Sequence, residues 1–570
     1  MMLELAQRQG RGHIPTCINL IFAVVALSFL GSAAATNLYV RIDGGNATQC
    51  TGRADAAYSG IGTAQACAWS HPFLALPPGG PARIVGGDTL MIDSGSYMMG
   101  LGAPGATACH QSYSWDCFMS AVPSGLSATQ PTRILGKGFD MACPAAPQLW
   151  GTERSAMVLN LQGSSNVEVA CLEITDHESC IEQHCHNGLC TGEVLACNRA
   201  TAPFGKWAGV GIKASDSTKV WLRDLNVHGM AHRGVVAGRL SDWTMDRLKI
   251  RGNPWAGWDG DIGTNSANSG QMLFRKLEIS WNGCGERYPS GEAFGCWGQV
   301  TGGYGDGLGT GATGGNWIFE DSLIHHNTSD GLDLLYMNAG GTVTVRRTWA
   351  EGNAGNQIKT KGTSLIENSV IVGNCAYFRG IGNMQAGDLC RAQGNAVSIG
   401  LTATSSASIV NNSISSEGDC LILSGGGGTG ARLTIANNLL IGEIDYRQPT
   451  ERSCAMYTEG TEVVAWDRNF VTGVKNASCP GNSLCMGLPM ITNALYTGFD
   501  PTPLAGSPLI SAAALGHAPI DDYLSLARDA TPDIGAYEHN VATVVIPPPP
   551  PPPPPPPTCP NNRKRCRSTG

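Results

Sequence analysis

The segment Asn166-Val-Glu-Val-Ala-Cys-Leu-Glu-Ile174 sets apolar residues at Val167, Val169, Leu172 and Ile174. Two alternating pairs are thus separated by one extra residue. The frame returns at Val220, Leu222, Leu225 and Val227, at Trp243, Met245, Leu248 and Ile250, and at Met272, Phe274, Leu277 and Ile279. Looser copies put Trp317 and Phe319 with Ile324, Val343 and Val345 with Ala350, Ile366 with Ile371, Ile409 with Ile414, and Ile435 with Leu440. Between last apolar positions, from Val227 on, the steps are 23, 29, 45, 26, 21, 43 and 26 residues. The two long steps are expected to hide one unmarked copy each. A period of 20 to 30 residues built from alternating strands denotes a solenoid. Leucine-rich repeats would need a Leu and Asn consensus and a helical half, and an irregular β-sandwich would not repeat one asymmetric frame. The expected fold class is therefore all-β, a right-handed parallel β-helix with disulfide-stapled loops. Asn368, Asn411, Asn412, Asn437 and Asn438 recur at its turns, where Asn tolerates left-handed backbone and can bond to the Asn of the next coil.

The rest of the composition agrees. Charged residues make up 14% of the 570 and Gly reaches 75, which excludes a coiled coil and suits short strands joined by tight turns. Basic Arg8, Arg11 and His13, an apolar run from Leu20 to Leu30 and the small residues Ala33 to Ala35 read as a secretion signal over residues 1–35. That run is too short for a bilayer span of roughly 20 residues. The β-helix then occupies residues 36–540, with Cys-rich insertions. Residues 541–570 form a proline-rich spacer, with eleven prolines from Pro547 to Pro557, and a short basic tail. Removing Cys17 with the signal leaves 20 of the 21 cysteines. Near neighbours such as Cys109 and Cys117, Cys180 and Cys185, Cys284 and Cys296, and Cys479 and Cys485 read as local staples in an exported chain. The run from Cys180 to Cys197 lacks a CxxC pair, which argues against zinc. A net charge of −8 and a pI of 5.8 give no footprint for nucleic acid. A secreted monomer without a membrane span is expected.

The frame also locates a polar cluster. Counting from the last apolar position of each coil places Asp330 and Asp333 after Ile324, Lys359 after Ala350, and Asp306 after an assumed coil position at Val300. Asp306 then falls over Asp330 and Asp333 over Lys359. Each Asp-Gly pair alone would be only a turn former. Three acids and one amine in register are more than turns require.

These residues carry a resemblance. Asn327-Thr-Ser-Asp330-Gly-Leu-Asp333-Leu, Gly341-Thr-Val-Thr-Val and Gly355-Asn-Gln-Ile-Lys359 resemble the central site of polysaccharide lyase family nine, the pectate lyases with a parallel β-helix. More weakly, Leu38-Tyr-Val40 and Gly86-Gly-Asp88 look like opening coils of such enzymes, and Asp533-Ile-Gly-Ala-Tyr-Glu538 like a closing motif of secreted β-helices. The resemblance implies calcium held by Asp306, Asp330 and Asp333, and Lys359 as the base. The substrate implied is an anionic polysaccharide, a uronic-acid polymer cleaved by β-elimination. Ser329 departs from the family by standing where a further Asp belongs, and calcium affinity depends on carboxylate count. Lys361 faces the same side as Lys359 and is either a second candidate base or a substrate clamp. Arg347 and Arg379 are candidate clamps. A lysine base must be neutral to act, so a lowered Lys359 pKa and an alkaline optimum are expected.

Two other classes fit the same fold. A glycoside hydrolase would use paired acids, such as Asp259 with Asp261 or Asp306 with Asp330. A non-catalytic adhesin would present aromatics such as Tyr288, Phe294 and Trp297 to sugars, although packing beneath a Cys284–Cys296 staple explains them as well. His325 and His326 are expected to face opposite ways as strand neighbours and to serve no common site.

Overall fold

The computed structural model describes residues 35–182, the backbone of 185–186 and 189–190, and 195–296, 305–378, 394–445, 450–475, 479–485 and 487–539. The signal segment before Ala35, Val300, Trp297, Arg379 and the proline-rich tail lie outside these residues.

The repeated frame becomes a stack of parallel strands. Val169, Leu222, Met245, Phe274, Phe319, Val345, Ile366, Ile409, Ile435 and Trp466 pair in succession, one per coil. Their side chains face inward and join a core that runs from Leu38 to Val474. Phe274 stacks on Phe319 with ring centroids 4.7 Å apart, so aromatic packing also follows the axis. Helix is confined, among the described residues, to three short 3-10 turns. The protein is an all-β parallel β-helix.

The extra residue in the frame is a corner. Cys171, Asp224, Arg247, Lys276, Asp321, Arg347, Asn368, Asn411, Asn437 and Arg468 occupy that position and all have φ between 47° and 58°. One left-handed residue turns the chain from one sheet to the next, which is why the alternation breaks there. The following position carries a ladder. Asn412 donates from its backbone and side chain to Asn438 Oδ1 at 2.9 and 3.0 Å, and Asn438 donates likewise to Asn469 at 2.9 Å. A second ladder, Asn253–Asn282–Asn327–Asn353, runs inside another corner at 2.8–2.9 Å between side chains. These ladders satisfy buried backbone N–H groups where the sheet hydrogen bonds stop.

The long steps are not two coils. Ile279 pairs directly with Ile324, and Ile371 with Ile414. Each is one coil carrying an insertion. In the first, Gly285–Arg287 and Glu292–Phe294 form an antiparallel hairpin closed by Cys284–Cys296. Register between Asp306 and Asp330 is right although the assumed coil at Val300 is not, because Leu308 pairs with Leu332 at the same 24-residue offset.

Seven disulfides join described cysteines. Cys109–Cys117, Cys284–Cys296 and Cys479–Cys485 are the local staples expected. Cys180 pairs with Cys197 instead of Cys185, because Ile181 and Ala196 bridge the bases of that loop. Bonded to each other, these two cysteines are no thiolate pair for zinc. Such disulfide density fits an extracellular protein. No helix of the described residues is long and apolar enough to cross a membrane.

Beyond the last coil the chain folds back along one face. Ile491, Phe499, Leu509 and Ile534 pack on Val370, Val372, Leu439 and Phe470. Arg347 anchors this return: Nε lies 2.6 Å from Asp321 and Nη1 2.9 Å from Asp521. Expected as a substrate clamp, Arg347 is instead a half-buried corner residue engaged by carboxylates of its own chain.

Candidate active site

One face of the helix consists of the strands Ala256–Asp259, Leu308–Gly309, Leu332–Leu334, Ile358–Lys361, Val397–Gly400, Cys420–Gly425 and Cys454–Thr458. Leu308, Leu332, Ile358 and Val397 point into the core. Alternation therefore turns Asp259, Gly309, Asp333, Lys359 and Ser398 outward as one register column. Asp333 and Lys359 are direct partners, as the frame predicts.

Asp306 and Asp330 stand just before their strands, at a corner. Asp330 N donates to Asp306 Oδ1 at 2.9 Å, Asn356 N to Asp330 Oδ1 at 2.6 Å, Asn395 N to Asn356 Oδ1 at 3.0 Å, and Cys420 N to Asn395 Oδ1 at 3.1 Å. The two acids are thus rungs of a third ladder whose lower rungs are Asn. One oxygen of each carboxylate is committed to the backbone below it. Asn356 also donates its side-chain amide to Asp330 at 2.9 Å, a positioning contact that reading acids and amines alone misses. Its signal is the step that brings 330, 356 and 395 into one column.

The second oxygens do something else. Lys359 Nζ lies 3.0 Å from Asp330 Oδ2 and 2.9 Å from Asp333 Oδ2. Leu335 N holds the other oxygen of Asp333 at 3.0 Å. Asp306 is buried, and the Ser329 hydroxyl is hydrogen-bonded to it. Where the family resemblance expects a further acid, a neutral donor meets Asp306. Gly309 leaves room for that acid, since a Cβ at this position would lie 2.9 Å from Asp306 Oδ2.

The electrostatics follow from this crowding. Burial, then the charges of Asp330 and Asp333, push Asp306 well above the usual carboxylate range. Burial and Asp330 also raise Asp333, against the pull of Lys359. Burial pulls Lys359 down, as expected, yet its two carboxylates outweigh that and hold it above the ordinary lysine value. The expected lowering does not occur while the ammonium sits on both acids.

The donor set suits calcium in kind, being hard carboxylate oxygens, two of which already converge on a cation. In this arrangement no three acidic, histidine or cysteine side chains of the described residues group around one ion position. Lys361 lies two residues on along the same strand face and makes no ion pair among the described residues.

The other candidates lie elsewhere. Arg233 engages Asp259 at 2.5 Å, while burial raises the Asp259 pKa against that pull. His325 and His326 touch through Nδ1 atoms 2.9 Å apart, contrary to strand alternation, because His326 takes a left-handed corner at φ 55° where the adjacent coils have Trp281, left-handed too at φ 59°, and Gly352. Both residues are half-buried, and desolvation lowers the His325 pKa to about 4. Trp281 stacks on His326 at 4.5 Å, and Tyr377 packs edge-on against Trp281 at 4.4 Å. Phe294, partly buried, has Arg287 over its ring at 5.2 Å, which is packing within the insertion.

No family model matches the sequence, and no curated protein matches it. Similar solved structures include the pectate lyase Pel9A, at 12% identity over 90% of this chain and 98% of that one, with a TM-score of 0.37. They also include an alginate lyase from Paenibacillus sp. str. FPU-7, at 13% identity over 69% and 93% of the two chains and a TM-score of 0.33. A third is PfbA, a surface adhesin of Streptococcus pneumoniae, at 8% identity over 69% and 84%, with a TM-score of 0.30. A pectate lyase is thus among the structures the chain resembles. These likenesses are remote, and the chemistry has to come from this chain's own side chains.

Proposed function

We propose that the protein is a secreted polysaccharide lyase that cleaves a uronic-acid polymer of the pectate type by β-elimination. One observation supports this above the others. Asp306 and Asp330 sit in a ladder whose next two rungs, Asn356 and Asn395, do the same backbone work without charge. Two buried acids beside Asp333 repel one another and add nothing to the ladder that Asn would not. Their charge is a structural cost and so points to a cation and a chemical task.

Lys359 is the base in this reading. Its amine, deprotonated at alkaline pH once it has left Asp330 and Asp333, takes the proton from C5 of the uronate; that electron pair forms the C4–C5 double bond, and the C4–O bond to the neighbouring sugar breaks, its oxygen taking a proton from water. Asp330 and Asp333 hold the amine at the outward face of its strand until substrate arrives. Asn356 and the Leu335 N–H fix those two carboxylates, and Ser329 orients Asp306. Calcium, held when bound by Asp306, Asp330 and Asp333, would withdraw charge from the substrate carboxylate and acidify the C5 proton. Lys361 binds a uronate carboxylate beside the scissile bond.

The test is ultraviolet absorbance of products from polygalacturonate and alginate, with and without calcium, for the mature protein and Lys359→Ala. A calcium-dependent double-bond signal lost in the variant is expected. Reducing ends without that signal would make the protein a hydrolase, and binding without any product would make it an adhesin.

A further inference from the structure

The two ends of the coil stack differ. The first strand, Asn37–Gly45, has its outer edge covered: Tyr39 N donates to Gly52 O at 2.8 Å and Val40 bridges Trp69. The chain that does this is stapled by Cys50–Cys67 and goes on to bury Trp69, Phe73 and Leu74. At the other end Leu484 bridges the strand Phe470–Thr472, and a bond from the Trp466 indole to Ser483 ties the same loop to Val463–Asp467. The strand Cys454–Thr458 pairs with Cys420–Gly425 on one side and with no strand of the described residues on the other.

That end leaves core uncovered. Met456, Val464 and Trp466 continue the inward columns of Ile422, Leu433 and Ile435, which are fully buried, yet all three are only half-buried. Beside them Ile444, Tyr457 and Val463 are 43%, 54% and 49% exposed. The terminal repeat of a solenoid ordinarily carries a polar outer face. An open edge strand beside an apolar patch is instead a template for pairing with another chain. The charges around the opening indicate which chain. Asp419, Asp445 and Glu451 stand there with Arg452 and Lys475; Lys475 is 2.5 Å from Glu451, and Arg452 acts on Glu443. A rim of both signs fits neither a polyanion nor a polycation. It does fit its own image, because a copy turned about a two-fold axis can set its bases against these acids.

We infer that the end coil is the docking surface for a second copy of this chain, joined tail to tail through a two-fold axis, with Cys454–Thr458 paired antiparallel to its own image. The inference is independent of the lyase reading. The covered first strand offers no edge for head-to-tail stacking, so the assembly closes at two copies and does not grow into a fibre. The chain's own proline run, Pro547 to Pro557, is a poor occupant of that edge, since proline has no N–H to give a neighbouring strand. The protein is thus a dimer where its sequence alone predicts a monomer.

The experiment reads the mass of the mature full chain by sedimentation equilibrium, and the hydrogen exchange of amides 454–458 at high and low protein concentration. Val463→Asp and Tyr457→Asp each put a carboxylate on the apolar patch at an exposed position, so the monomers should melt as wild type does at low concentration. Wild type should be mostly dimer at about 50 μM, and each substitution should raise the dimer Kd at least about tenfold. Amides 454–458 should be protected at high concentration and lose that protection on dilution. A wild-type monomer at about 200 μM would overturn the inference. So would a dimer of equal strength in both variants, which would place the interface elsewhere. Protection of 454–458 that does not change on dilution would assign the edge to the chain's own tail and overturn it as well.

Discussion

Lys359 and Asp333 are register partners on adjacent coils, and their charged atoms meet at 2.9 Å above a backbone pair that fixes both strands. The sheet fixes the two backbones, and the ion pair holds the flexible amine over the acid. Lys359→Ala should lower the elimination rate by about 10² to 10⁴, the usual worth of a positioned base. It should also cost about 3 kcal/mol of stability, because two poorly exposed carboxylates lose their cation. Combining Lys359→Ala with Asp333→Asn should recover part of that stability and none of the activity, as read by urea unfolding and ultraviolet assay.

The register of this pair is legible in the sequence alone, since an asymmetric frame with a fixed corner leaves no freedom to slip. Legibility stops where the frame counts residues but not insertions: one coil of 45 residues looks like two. It stops again at side-chain engagement. Arg347 looks like any exposed Arg until the chain returns from Asp521, more than a hundred residues on, to meet it. Asn356 looks like a turn former until it is stacked under Asp330.

Arg347 should therefore behave as a structural residue. Arg347→Ala leaves Asp321 and Asp521 without their shared cation and loosens the returning segment. A loss of about 2 to 4 kcal/mol is expected, with faster proteolysis within residues 487–539 and an unchanged KM for polygalacturonate. A raised KM in stable protein would restore the clamp.

Stability should fall on both sides of neutrality through two histidines of opposite sense. His228 sits between Glu173 and Glu286 at 3.0 and 2.8 Å, with Arg251 on the far side of Glu286, and ties the inserted hairpin to the helix face. Burial opposes its charge, but the two carboxylates raise its pKa to about 9. Its contribution, up to about 3 kcal/mol, is complete below pH 6.5 and is lost as pH rises through 9. His71 is the reverse. Burial lowers it to about 4, and its Nδ1 accepts from Phe73 N, so protonation would remove a cap. That contribution is complete above pH 6.5 and is lost as pH falls through 4. Thermal midpoints of His228→Gln and His71→Asn across pH should show flatter alkaline and acid slopes respectively, the acid slope flattened only in part because His325 is also held at about 4.

Gly309 should be intolerant for a reason of place. Its backbone is ordinary strand, but a Cβ would stand 2.9 Å from Asp306 Oδ2. Gly309→Ala is expected to displace that carboxylate and reduce activity at limiting calcium more than at saturation, at about 1 to 3 kcal/mol in stability. Gly516→Ala, whose Cβ meets nothing within 4 Å, is the control and should match wild type.

The ladders offer the sharpest separation of structure from chemistry. Asn438 accepts from Asn412 and donates to Asn469 and to Ile409 O at 2.7 Å, all buried. Asn438→Ala orphans several of these groups and should cost about 4 kcal/mol. Asp330→Asn is different. The amide oxygen can still accept from Asn356 N, and the ladder below already runs on Asn. Removing the charge gives up one of the two contacts to Lys359 but relieves repulsion with Asp306 and Asp333, and Asp333 still holds the ammonium. Asp330→Asn should keep or raise the unfolding midpoint while elimination falls by at least about 10², and calcium titration should show weaker binding. A rung that gains stability by losing its charge, and loses activity with it, was kept charged for the reaction; a variant both stable and fully active would make Asp330 a turn residue after all.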